Sequence, residues 1–565
     1  MIPISFGNNA ARLHLPDSSS APSGLGVVIV PPHGIEALAA AKTLRLLAEQ
    51  LAKRGHSVLR FDLPGTGDSL DDDLPGDATS CWTRSVVEAA KTLQTSAGAG
   101  GIVLVGLRLG ALLAASAAPD IENLAGVALL DPVISGKTYA RELGITAQAF
   151  AEETGVRPED GCMGQGLTIG GLITSGETLA GLRKLTLLEL APAVPALLLH
   201  RDGAHDVKRM IAQWPAMQVT TKPAQGFEAI RSNPTYAVTP HAALSDTADW
   251  IDGLPKRALQ PHNRPHSSQL TGADFTETSV VFGPDSRLFA VVCRPAVPLE
   301  NSPALIIMNA GRNPHIGWAR SSVTLARRLA GDGVATIRFD LGGIGDSVDR
   351  PGAADHVDEL LYSDDQDAEL TAAIELSRRL GFSTTALLGA CSGAYLALRG
   401  GIQAAGVKNV ILVNLQRFVW RDGETVTSAL KNNFAVSSSY FRRIGDVRAW
   451  RLLLSGERKP GALVLNLLVR AIKRLARLGT APETVKAEAL MRTIVDRKSS
   501  VDFIYSEDDS GLVELGHHFG TRGRKLLKEP SVRFHFVPNS DHNFTPSTAR
   551  ERVYEITRDA VLAPN

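Results

Sequence analysis

Cysteine is scarce in this chain of 565 residues, and the four present (Cys81, Cys162, Cys293 and Cys391) lie far apart. Their spacing matches neither a zinc site nor a disulfide framework, so they read as reduced thiols. Net charge is absent too, with 59 lysines and arginines against 59 aspartates and glutamates. No global field therefore favours nucleic acid or an anionic membrane. No apolar run reaches the ~18 residues of a membrane span, and the start, Met1-Ile2-Pro3-Ile4, lacks the basic-then-apolar pattern of a secretory signal. A cytoplasmic location is the expectation, with no cofactor, no metal, no nucleic acid and no transmembrane segment.

A hydrophobic content of 44% and a charged content of 21% suit a globular chain that buries a sizeable core. At ~150 residues per domain the length allows two to four domains. Past the middle, an apolar strand-like stretch (Thr384 to Leu388) runs into Gly389-Ala390-Cys391-Ser392-Gly393 and then a helix-like stretch (Ala394 to Arg399). This is the form of a nucleophile elbow, a sharp strand-to-helix turn that pushes one side chain out of the backbone. Glycines two residues before and two after relieve the crowding.

The chain also repeats itself. Residues 61–69 (Phe-Asp-Leu-Pro-Gly-Thr-Gly-Asp-Ser) and 339–347 (Phe-Asp-Leu-Gly-Gly-Ile-Gly-Asp-Ser) agree at seven of nine positions. Each copy follows a helix-like stretch and a short β-branched run, and each precedes a glycine-flanked turn: Gly106-Leu107-Arg108-Leu109-Gly110 in the first half, the cysteine turn in the second. Strands alternating with helices argue for mostly parallel sheets flanked by helices. Between the halves, Lys256 to Ala273 is polar, proline-bearing and aperiodic, as a linker is.

Asn309-Ala310-Gly311, Arg338-Phe339-Asp340, Gly343-Ile344-Gly345-Asp346-Ser347, Gly389-Ala390-Cys391-Ser392-Gly393-Ala394 and Asp541-His542-Asn543-Phe544 resemble the α/β-hydrolase superfamily, in a branch described as serine aminopeptidase-like. The resemblance implies an α/β fold of two tandem copies: residues 1–255 a degenerate domain, 256–275 a linker and 276–565 a catalytic domain with a helical cap at about 416–498. It is specific for fold and says little of substrate, because this superfold hosts many chemistries.

In that fold nucleophile, acid and base follow one another along the chain, each on a loop after a strand. Cys391 comes first. Residues 501–505 (Val-Asp-Phe-Ile-Tyr) then lead into Ser506-Glu507-Asp508-Asp509, and residues 532–537 lead towards Asp541-His542. The family's Gly-x-x-Asp pattern, with Ser506 in the glycine's place, selects Asp509 over Asp508 as the acid. An ordinary thiol, with a pKa of ~8.5, is mostly protonated at neutral pH, so an imidazole must take its proton; His542 is the expected base. Asp509 would hold that imidazole in the right tautomer. The oxyanion hole is expected from the backbone N–H of Ser392 and from that of Gly311 or Arg312. Ser392 competes with Cys391 as nucleophile, but that reading puts Ala390 where the first glycine belongs.

Other features have plainer readings. Asp541 suits loop capping, and Asp364-Asp365-Gln366-Asp367 suits a solvated helix start better than a metal site. Asp62 and Asp340, among glycines, suit turn formation. At the first turn Arg108 stays protonated and cannot attack a carbonyl. It would either clamp a carboxylate or phosphate, or be satisfied by internal acids. Asp202 or Asp206 would be the relic acid of this half; no histidine lies in Gly226 to Ile230, and the nearest later one is His241. Within the expected cap, Ala462 to Leu478 mixes an apolar face with arginine and lysine at helical spacing. It would pack on the core, cover an acyl chain, or meet an acidic carrier.

These readings converge on acyl transfer or hydrolysis at an ester or thioester, through an acyl-cysteine intermediate. Coenzyme A or an acyl carrier protein is the expected carrier, and the oligomeric state stays open. The alternative is a noncatalytic scaffold or binding protein in a biosynthetic assembly.

Overall fold

The computed structural model describes residues 1–71, 76–162, 164–201, 205–214, 219–231, 233–263, 267–350, 361–421, 424–426 and 482–563. The chain divides into two compact units, one formed by Met1–Glu300 with Arg312–Asp355, the other by Asn301–Gly311 with His356–Asn565. Most of the expected cap, including Ala462 to Leu478, lies outside the described residues, as does Asp202.

The first unit begins with β1 (Ile2–Phe6), β2 (Asn9–His14), β3 (Leu25–Val30), β4 (Ser57–Phe61), β5 (Gly101–Leu107) and β6 (Leu124–Leu130). A small antiparallel pair, β7 (Leu167–Ile169) and β8 (Leu172–Thr174), follows, then β9 (Ala196–His200) and β10 (Val219–Pro223). An eight-stranded sheet runs β1-β2-β4-β3-β5-β6-β9-β10 and is parallel from β4 onwards. Alternate residues of its strands pack on opposite faces, as a period of two requires. Val28, Leu104 and Leu198 meet Val86, Leu93 and Leu112 on one side. Val27, Val103 and Leu197 meet Leu47, Leu51 and Ile251 on the other. A sheet buried on both faces explains the continuous apolar runs of β3, β5, β6 and β9. This unit also holds β11 (Gln269–Thr271), β12 (Phe275–Phe282) and β13 (Leu288–Pro295), which pair antiparallel in sequence, and, after the helix Ser321–Gly331, a later strand at Thr336–Asp340 antiparallel to β13.

The second unit is a parallel α/β layer. It orders β14 (Ala304–Ile307), β16 (Thr385–Ala390), β17 (Val407–Val413), β18 (Ser500–Ser506) and β19 (Val532–Val537), with β15 denoting the first unit's strand Thr336–Asp340. Leu305, Leu387, Ile411 and Phe503 are fully buried in its centre. All five strands run the same way, so the loops that carry chemistry leave from one edge, the edge where ligands bind in open α/β sheets. Among the described residues no helix is long and apolar enough to cross a membrane.

Candidate active site

The elbow forms where the glycines require it. β16 ends at Ala390, the Cys391 N–H donates to Val413 O at 2.9 Å, and the helix Ser392–Gln403 starts at once. Cys391 sits at φ 54°, ψ −116°, a strained region for a residue with a Cβ. A Cβ on Gly389 would stand 2.0 Å from Gly393 O, and one on Gly393 would stand 2.3 Å from Asn309 O. Only glycine admits the strand, turn and helix so close together.

Asp509 and His542 meet although 33 positions separate them: His542 Nδ1 lies 2.6 Å from Asp509 Oδ2. The acid is buried, with its side chain 1% exposed, while the imidazole is 40% exposed. Asp509 Oδ1 accepts two further hydrogen bonds, from the Gly511 N–H and from Gln416 Nε2, both at 2.7 Å. Burial would lower the pKa of His542, but the charge of Asp509, its hydrogen bond and the adjacent Cys391 thiol raise it well above the ordinary imidazole value. With Nδ1 turned to the acid, Nε2 is the atom left for the sulfur side. Asp508 is exposed on the same loop.

Of the residues expected around the oxyanion, Ser392 is buried at the helix start and its Oγ accepts from the Gly311 N–H at 3.0 Å. Arg312 falls in the first unit, where Nη1 donates to Ala237 O at 3.0 Å. Asp541 accepts from the Thr545 N–H at 2.6 Å and from Thr545 Oγ1 at 2.8 Å, closing its own loop ahead of the helix Ser547–Leu562. Arg399 pairs with Asp364 and Asp367 at the start of the helix Gln366–Arg379. On the Cys391 side, Tyr362 stacks on Trp420 with centroids 4.1 Å apart and lies 5.2 Å from Tyr395. Burial and then the neighbouring Cys391 push the Tyr362 phenol up, so this wall stays neutral.

Asn414 and Gln416 are residues the sequence reading missed. Asn414 Nδ2 donates to His542 O at 2.8 Å while its Oδ1 accepts from the Ser506 N–H at 2.9 Å. Gln416, which sequence reasoning places at the start of the cap, is buried against the acid. The available signal was position alone: two amide side chains directly after an apolar parallel strand.

In the first unit Arg108 adopts φ 55°, ψ −117°, nearly the same backbone conformation as Cys391. Its guanidinium is buried against Glu36 (2.9 Å), Glu142 (3.1 Å) and Asp131 (3.6 Å), so internal acids satisfy it. Asp62 and Asp340 do shape their turns, accepting from the Asp68 and Asp346 N–H groups at 3.0 and 2.9 Å. They also belong to a buried ionic cluster that no local pattern announces. His315 bridges Asp340 (2.7 Å) and Asp68 (2.8 Å). Arg12 meets Asp62, Asp68 and Asp346; Arg338 meets Asp68 and Glu277; Arg60 meets Asp346. His315, Asp340 and Asp346 lie close enough to share a cation, yet Arg12 and Arg60 already supply the positive charge there.

Residues 306–556 match a family model described as the alpha/beta hydrolase family. No curated protein matches the chain. Similar solved structures include a proline iminopeptidase of Mycobacterium smegmatis, 18% identical over 51% of this chain and 100% of that one, with a TM-score of 0.31. Est1E of Butyrivibrio proteoclasticus with bound ferulic acid is 15% identical over 44% and 98%, with a TM-score of 0.32. The Pyrococcus furiosus esterase Pf2001 is 14% identical over 51% and 93%, with a TM-score of 0.31.

Proposed function

We propose that the second unit is an acyl-transfer enzyme, a hydrolase or acyltransferase acting on an ester or thioester, with Cys391 as nucleophile, His542 as base and Asp509 as the acid that orients it. The observation that carries this reading is the 2.6 Å contact between Asp509 and His542, and the neighbouring Cys391 thiol, which helps to raise the pKa of that imidazole, supports it. His542 Nε2 takes the thiol proton and Cys391 Sγ attacks the carbonyl carbon, moving the π pair onto oxygen. The Ser392 N–H and the Gly311 N–H meet that oxygen, which replaces Ser392 Oγ as the acceptor of the Gly311 amide. On collapse the bond to the leaving oxygen or sulfur breaks, and that group takes the proton from His542. Water or an acceptor hydroxyl or amine then attacks the acyl-cysteine, its proton passing through His542 back to the departing thiolate.

A raised imidazole pKa suits this cycle, because the imidazolium must persist beside the thiolate. Residues 1–255 are proposed as a degenerate copy, on the ground that its elbow position carries Arg108, locked among acids. Coenzyme A and acyl carrier protein remain the proposed carriers. Exposure to an activated ester or a thiol-directed probe, followed by mass spectrometry, tests the whole: one adduct is expected at Cys391, lost in His542→Ala. No preferential labelling would favour a noncatalytic scaffold instead.

A further inference from the structure

The loop that follows β17 does not react with anything in the scheme above, yet it touches both the acid and the base. Asn414, at φ 47°, and Gln416 are each buried, and each uses both ends of its amide. Asn414 joins the end of the acid strand, through the Ser506 N–H, to the carbonyl of His542. Gln416 Nε2 donates to Asp509 Oδ1 at 2.7 Å and to Asn414 O at 2.9 Å, while its Oε1 accepts from Ser510 Oγ at 2.7 Å.

Resting on the function just proposed, we propose that Gln416 is a positioning residue: it fixes the Asp509 carboxylate so that Oδ2, and not Oδ1, faces His542. The geometry carries this. A carboxylate can rotate about its terminal bond, and its two oxygens are chemically equal until their surroundings differ. Here Oδ1 is filled by the Gly511 N–H and the Gln416 amide, which leaves Oδ2 for the imidazole. The Asp509 carboxylate and the Asn414 carbonyl can only accept, which dictates that the Gln416 end facing them is its donor, and Ser510 Oγ completes the device by donating to Oε1. Because donor and acceptor of every amide in the chain of contacts are matched, the arrangement is satisfied only one way round.

Carbamidomethylation of Cys391 by iodoacetamide, followed peptide by peptide against pH, tests this without any knowledge of the substrate. Gln416→Met keeps the length and removes both donors; the labelling rate at neutral pH is expected to fall about tenfold, the scale of one hydrogen bond to a charged group. Gln416→Glu keeps the shape but sets a second carboxylate on Oδ1. Two such groups share one proton, so labelling should approach the wild-type rate at low pH and fall away as that proton leaves. A residue that merely supports the fold would lower the melting temperature without reshaping the pH profile. Ser510→Ala, on a partly exposed side chain, should give a milder loss of about two- to threefold and serves where Gln416→Met does not fold. Wild-type profiles in all three variants, with His542→Ala still abolishing rapid labelling, would overturn the role of Gln416 alone. Slow, His542-independent labelling in the wild type would instead overturn the proposed function.

Discussion

Asp68→Asn should destabilise the first unit about as much as truncating a large core side chain, because this carboxylate compensates three buried cations at once. Arg12 Nη2 lies 2.6 Å, His315 Nε2 2.8 Å and Arg338 Nη1 2.9 Å from it. At an effective dielectric of about 20, each contact is worth about 6 kcal/mol before desolvation. Desolvation of Asp68 itself opposes this, and the cations keep Asp62, Asp340, Asp346 and Glu277, so the net loss is about 3–5 kcal/mol, the range for breaking a buried pair. The substitution also changes the response to pH. In the wild type, burial would depress His315, but Asp68 and Asp340 raise it from 6.5 to about 10. A raised pKa means stability complete below the unfolded value and lost as pH rises through about 10. Asp346 is held below the carboxylate range by Arg12 and Arg60 against the pull of burial, so its contribution is present above the ordinary carboxylate value and lost only in strong acid. With one of its two carboxylates gone, His315 should titrate lower and the alkaline loss should start earlier. Urea unfolding between pH 5 and 10, read by hydrogen exchange in peptides covering β2, β4 and β15, measures both effects. A loss under about 1 kcal/mol with an unchanged alkaline limb would refute the reasoning.

Asp509→Asn should slow Cys391 labelling and any turnover on the order of 10³–10⁴-fold, the scale for amide replacement of a triad acid. Asp508→Asn should leave both unchanged; equal effects would break the assignment of the acid. Gly389→Ala forces a methyl to within 2.0 Å of Gly393 O, so a loss of about 1–3 kcal/mol and of rapid labelling is expected, read by thermal melts and the iodoacetamide assay. Arg108→Ala removes a buried cation from Glu36 and from Asp131, which keeps Arg201; a loss of about 3–5 kcal/mol in the first unit is expected, and unaltered unfolding would remove the structural role of this arginine.

The α/β class was legible because both faces of the parallel strands are covered, which writes unbroken apolar runs such as Val27 to Val30 and Leu387 to Leu388 into the chain. The elbow was legible because steric exclusion at Gly389 and Gly393 admits a single residue type. His315 was not. Its partners Asp68 and Asp340 stand 247 and 25 positions away, and a histidine after a proline has no local mark of a buried bridge. Gln416 was misread for a related reason. An amide after a strand looks like ordinary loop polarity until the acid loop folds over it. Local sterics and periodicity leave traces in sequence; pairing between remote polar groups does not.

The near-identity of the backbone at Arg108 and Cys391 has a bearing on how readily chemistry could be moved between the two units. The contorted peptide conformation is already in place at Arg108, so writing a thiol there is geometrically trivial. What blocks the transplant is charge: removing the guanidinium takes a shared cation away from Glu36, Glu142 and Asp131, of which Asp131 keeps Arg201. A thiol site at this turn would have to be built by neutralising those acids together with the arginine, a concerted change that no single substitution reaches.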